Sequence, residues 1–115
     1  MINIFFDGSC MPKNPGGVAT YGYVLIKDGK IEKEGRGTIG VGDGMTNNVA
    51  EYSGLLEALK FATTKYPDEK DIAIHGDSQL VIRQMKGEYK VKSETAKKYA
   101  PQIKKLLLKK NATFT

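Results

Sequence analysis

Apolar residues crowd the start of the chain. Ile2, Ile4, Phe5 and Phe6 put apolar groups on both faces of an extended segment, which predicts a buried strand over 2–6. Two prolines and a glycine pair in MPKNPGG, residues 11–17, predict a loop. In ATYGYVLIKDGKIEKEGRGTI, Tyr21, Tyr23 and Leu25 alternate with smaller groups and Asp28-Gly29 supplies the turn, so a hairpin is expected. The glycine-rich GVGDGMTNN reads as a flexible connection. No Lys-Ser/Thr pair follows it, so it lacks the phosphate-loop pattern.

From Asn48 the period changes. Tyr52, Leu55, Leu56, Leu59, Ala62 and Tyr66 fall at helical spacing, with Asn47 or Asn48 as the cap and Pro67 as the stop. DIAIHGDS, residues 71–78, predicts a second short buried strand, and QLVIRQMKG a short helix closed by Gly87. SETAKKYAPQIKKLLLKK predicts a third helix, started by Ser93, with Ala96, Tyr99, Ala100, Ile103, Leu106 and Leu107 as its apolar stripe. Pro101 should kink it. Its lysines, Lys97 to Lys110, lie mostly opposite that stripe and read as a solvated face. NATFT reads as the start of a last strand. A hairpin followed by strand–helix–strand crossovers gives a mixed α/β sheet in one domain, residues 1–115. The first strand and the DIAIHGD strand should be parallel neighbours.

Composition narrows the setting. The 115 residues suffice for one core. No apolar run approaches the roughly 20 residues that span a bilayer, and MINIFF has neither a basic n-region nor a cleavage pattern, so no signal peptide is expected. The single cysteine, Cys10, cannot form an internal disulfide, which fits a reducing cytoplasm. A net charge of +5 points toward polyanionic partners such as nucleic acid.

The candidate chemistry lies in three carboxylates. Asp7 and Asp77 are expected at the carboxyl ends of the two parallel strands, where ligands bind in open α/β sheets. Strands about 4.8 Å apart bring such end groups near each other. Each alone is most often a loop cap; together they repel unless a cation joins them. Glu51 shares a helical stripe with Leu55, Ala58 and Ala62, so it borders the apolar face and needs a partner or a metal. Such a set of oxygen ligands suits Mg²⁺ or Mn²⁺. His75, the only histidine, alternates onto the face of Asp77 and is read as structural.

FFDGS, then TNNVAEYSGLLEAL, then HGDSQLVIRQMKGEYKVK resemble the type 1 ribonucleases H, in family order and over nearly the whole chain. A lone DGS would be weak, since haloacid dehalogenase-like phosphatases also end a first strand on Asp. They want a second Asp two residues later, where this chain has Ser9. The resemblance implies a five-stranded ribonuclease H-like sheet, antiparallel in its first three strands and then parallel, with flanking helices. It implies a metal-dependent endonuclease that cuts the RNA strand of RNA–DNA hybrids by in-line displacement, using two Mg²⁺ or Mn²⁺ ions. Asp7 would be shared by both ions, with Glu51 and Asp77 holding the one on the leaving-group side. Thr46 resembles the threonine of the family's DNA-phosphate pocket, with Asn14 as a nearby contact. Asn47, Asn48 and Gln79 match residues that reach the minor groove, where 2′-hydroxyls are displayed. Ser9 and Cys10 align beside the RNA strand, and Tyr89 stands where the family often has an aromatic near the DNA.

The resemblance also carries a departure. The family pattern has a fourth carboxylate at the start of a final helix and a histidine in the preceding loop. This sequence stops at NATFT, and Glu88 and Glu94 are in the wrong places to substitute. Weakened activity is therefore expected. With no final helix, one sheet face should be short of cover, so a homodimer or an exchange of segments is expected there. The competing readings are a catalytically silent hybrid-binding module and another nuclease of the same fold, such as a resolvase or integrase core.

Overall fold

The computed structural model describes residues 1–87 and 94–115, apart from the side chain of Gln79. In chain order the elements are β1 (Ile2–Met11), β2 (Val18–Lys27), β3 (Lys30–Val41), α1 (Asn47–Lys65), β4 (Asp71–Gly76), α2 (Gln79–Lys86), α3 (Glu94–Leu106) and β5 (Asn111–Phe114). They form one five-stranded sheet in the order β3-β2-β1-β4-β5. β1, β2 and β3 are antiparallel, while β1–β4 and β4–β5 are parallel. This is the mixed sheet expected from the pattern, and Asp28 and Gly29 both take positive φ in the hairpin turn as a tight two-residue connection requires.

The first strand differs from expectation in length and in its faces. It runs ten residues, not five, because β2 stays paired with it through Met11↔Val18. Its pairing with β4 ends earlier, at Phe6↔Gly76. Ile2, Ile4 and Phe6 are buried, whereas Phe5 is 45% exposed, so the strand is covered on one face only. Ile2, Ile4, Phe6, Tyr23 and Leu25 share one core with Leu55, Leu59 and Ile103 of the helices. The opposite face, carrying Asn3, Phe5 and Asp7, is open.

Buried polar groups tie the helical layer together. The Tyr52 hydroxyl of α1 donates to Gln84 Oε1 of α2, and Ser53 Oγ donates to the Tyr99 hydroxyl of α3 at 2.9 Å. The Tyr52 and Tyr99 rings stack at 5.8 Å. Burial pushes the Tyr52 hydroxyl up to about 12, which keeps it a donor across the working pH range.

Four local expectations change. Thr46, rather than Asn47 or Asn48, caps α1: its hydroxyl accepts from Val49 N–H at 3.1 Å. The glycine-rich connection is pinned, because Gly42 N–H bonds to Gly17 and Gly16 N–H to Met45. Lys110 is not a solvated lysine; its ammonium donates to the Pro67 and Glu69 carbonyls at 2.8 and 2.7 Å. The second parallel strand stops at Gly76, because Ser78 caps α2 immediately afterwards. Pro101 lies inside α3 without ending it, and Gly87 closes α2 in the left-handed region as expected. Ser93, the expected start of the third helix, lies outside the described residues.

Candidate active site

Asp7 lies where β4 leaves β1. The parallel register ends one residue before it, at Phe6↔Gly76, and Asp77 is the first residue after β4. The two carboxylates therefore flank the crevice that opens at the carboxyl end of a parallel pair. Both are exposed. Gly8 N–H donates to Asp7 Oδ1 at 2.8 Å and steadies that side chain.

Glu51 comes from the first turn of α1, and Gly8 lets it approach. A Cβ on Gly8 would run into the Glu51 backbone nitrogen and into Ala50. The helix start therefore rests directly on β1. Glu51 is half-buried, and its Oε2 is buried without a hydrogen-bond partner. Burial raises its carboxyl above the ordinary value; hydrogen bonding from Ser78 pulls it back, and the negative charges of Asp7 and Asp77 raise it again. An unpaired buried carboxylate oxygen beside two further carboxylates suits a hard divalent cation. Among the described residues, no three acidic, histidine or cysteine side chains are drawn together at ligating distance as they stand.

The open sheet face beside these residues forms a cleft of about 690 Å³, lined by Asp7, Asp77, Gly22, Glu34, Arg36 and His75 among others. His75 stacks on Phe5 at 4.6 Å, and its ring nitrogens hydrogen-bond Asn3 Oδ1 at 3.1 Å and Thr115 Oγ1 at 2.8 Å. That fixed ring agrees with a structural role.

The remaining candidates divide into two groups. Ser9 pairs its hydroxyl with Thr20 at 2.9 Å on the same face as Asp7. Cys10 is buried and donates its thiol to the Lys13 and Met45 carbonyls, so it holds two loops together. Asn14 Oδ1 accepts from Asn47 N–H at 3.2 Å, which joins the first loop to the start of α1 beside Thr46. Asn47 is exposed and Asn48 half-buried in that same first turn. Gln79 opens α2 directly after Asp77 and Ser78. Tyr89 lies outside the described residues. Sequence reasoning passed over Ser78, although an Asp-Ser pair before an apolar run is a cap signal. It also passed over Gly8, Gly22 and Arg36, whose places depend on strand register.

A family model described as Reverse transcriptase-like matches residues 5–115. Ribonuclease HI of Halobacterium salinarum is 38% identical over 107 residues, 92% of this chain and 50% of that protein. The chain thus spans half the length of that curated relative. The crystal structure of RNase H1 from the same archaeon superposes with a TM-score of 0.81 at 34% identity, covering 97% of this chain and 80% of the other. LC11-RNase H1, solved in complex with RNA/DNA hybrid, gives a TM-score of 0.87 at 32% identity, with coverage of 100% and 83%.

Proposed function

The chain belongs to the type 1 ribonuclease H family, and on that footing we propose that it hydrolyses the RNA strand of RNA–DNA hybrids. The observation that carries the reading is the unpaired, buried Glu51 Oε2 beside Asp7 and Asp77, in a chain that superposes on a hybrid-bound RNase H1.

Asp7, Glu51 and Asp77 are the residues that would hold Mg²⁺ or Mn²⁺, two ions with substrate. Such ions supply charge neutralisation, activation of water and stabilisation of the leaving oxygen. The chain's own residues position and select. Glu51 is set against β1 by Gly8, which fixes one carboxylate relative to the other two. Thr46, Asn14 and Asn47 form a small polar cluster at the start of α1. The helix dipole and the exposed Asn47 side chain there favour a DNA phosphate. Asn48 lies one turn before Glu51 on α1 and Gln79 follows Asp77 at the start of α2; both are assigned to the minor groove, where the 2′-hydroxyl separates RNA from DNA. Ser9, on the cleft face, is assigned to the RNA strand. Cys10 supports it from the core, and as a free thiol it fits a cytoplasmic setting.

We also infer that a second copy or an exchanged segment covers the open sheet face at the end away from Asp7, where Ile31, in the row of Ile26 and Asn3, is 62% exposed; the cleft at Asp7 is left to the substrate. A clean monomer in sedimentation at micromolar concentration contradicts that part.

The test is substrate preference. Labelled RNA–DNA hybrid, plain DNA duplex and duplex RNA are offered with Mg²⁺ and with Mn²⁺. Cutting of the RNA strand in hybrid alone is expected. Cleavage of DNA duplex would support the resolvase or integrase reading. Hybrid binding without turnover would support the silent module.

A further inference from the structure

Asp7, Gly22 and Arg36 stand in one row across three strands. Asp7 is in register with Gly22, and Gly22 with Arg36. Directly paired residues point to the same face, so all three meet the open cleft, and all three line it. Two strand spacings separate Asp7 from Arg36, about 9.5 Å between backbones. Nothing stands between them, because the middle position has no side chain.

That gap has no structural cause. Gly22 is not in the left-handed region, and an added Cβ would meet only the Gly35 carbonyl oxygen, at 3.8 Å. Gly35 differs, since a Cβ there would strike the Tyr23 ring. A glycine in mid-strand loses about 0.5–1 kcal/mol against alanine, and where packing does not demand it, it often marks the close approach of a ligand. Arg36 points the same way. It is exposed, and among the described residues it has no carboxylate partner at ion-pair distance. Beside this row runs a second, Ser9–Thr20–Thr38, which offers three hydroxyls.

We propose that the Gly22 lane is a phosphodiester subsite: the substrate backbone crosses β2 over Gly22, and Arg36 binds the phosphate next to the one that metal ions on Asp7 would hold. A guanidinium forks onto two phosphate oxygens at once, which suits register-setting along a strand. Spanning about 9.5 Å, the lane is too long for one phosphate and long enough for two neighbours. The assignment rests on the reading that this cleft takes nucleic acid.

Gly22→Ala and Gly22→Val separate the lane from the fold. A packing role predicts lower thermal stability for both. The lane predicts that Gly22→Ala melts at or above wild type, while hybrid binding weakens, more so in Gly22→Val. Arg36→Gln should weaken binding of a long RNA–DNA hybrid roughly tenfold in EDTA and reduce the slope of log K against log salt by about 1. Arg36→Lys should restore the slope but not the full affinity. Wild-type affinity and slope in Gly22→Val and Arg36→Gln, with the wild type still binding hybrid, overturn the lane and leave the proposed function standing. If the wild type itself binds no hybrid, both fall.

Discussion

Glu51→Gln should make the metal-free protein more stable while removing its activity. The side chain is half-buried, Oε2 has no hydrogen-bond partner, and burial is the first cause of its raised carboxyl pKa. A buried polar atom left unsatisfied costs about 1–3 kcal/mol. Half-exposure places this one at the lower end, about 1 kcal/mol. Glutamine keeps the shape and removes the charge that burial penalises. For a domain of this size a gain of about 1 kcal/mol raises Tm by about 4 °C. The sign follows from linkage. A carboxyl raised in the folded state binds its proton more tightly than in the unfolded chain, so wild-type stability falls as pH rises from the ordinary value of 4.5 through the raised value. Above that the loss is complete. In EDTA, the variant's advantage should be full at neutral pH and close as pH falls below about 4.5. Adding Mg²⁺ should raise the wild-type Tm more than the variant's. Thermal unfolding by circular dichroism across pH reads all three. A variant less stable than wild type in EDTA at pH 7, or a gap unchanged in acid, refutes the reasoning.

Other expectations follow from the same geometry. Gly8→Ala drives a Cβ into the Glu51 backbone; it should cost about 1–3 kcal/mol and depress hybrid cleavage, read by denaturant unfolding and a cleavage assay. Thr46→Ala removes the cap of α1 and should cost about 1 kcal/mol. Thr46→Ser should recover most of it in the same melt. Tyr52→Phe leaves Gln84 Oε1 without its donor in the core; urea unfolding should show a loss of about 1–3 kcal/mol, with no change in metal dependence.

Much of this was legible in the pattern. The strand and helix order follows from apolar runs and turn signals: β4 is a short, contiguously buried run, and α1 carries apolar residues at helical spacing up to Pro67. Asp7 and Asp77 were legible because they follow apolar runs, and Glu51 because it falls on the stripe of Leu55 and Ala58. The assigned roles of Thr46, Asn14 and Gln79 came from family likeness instead. The length of β1 was not legible. Residues 7–10 are polar or small, and only the β2 partner keeps this end of the strand extended. The Gly22 lane was hidden for a related reason: Asp7, Gly22 and Arg36 are far apart in sequence, and only the paired registers of three strands align them. Competition between Thr46 and the two asparagines for the cap was decided by where the pinned loop delivers the chain.

The most direct measurement is cleavage of a hybrid labelled on each strand, titrated with Mg²⁺ and Mn²⁺, by wild type and Asp7→Asn side by side. Metal-dependent cutting confined to the RNA strand, abolished by Asp7→Asn while hybrid binding survives, is the predicted result. Equal cutting by both proteins, or cutting that persists in EDTA, would contradict a metal site built on Asp7, Glu51 and Asp77.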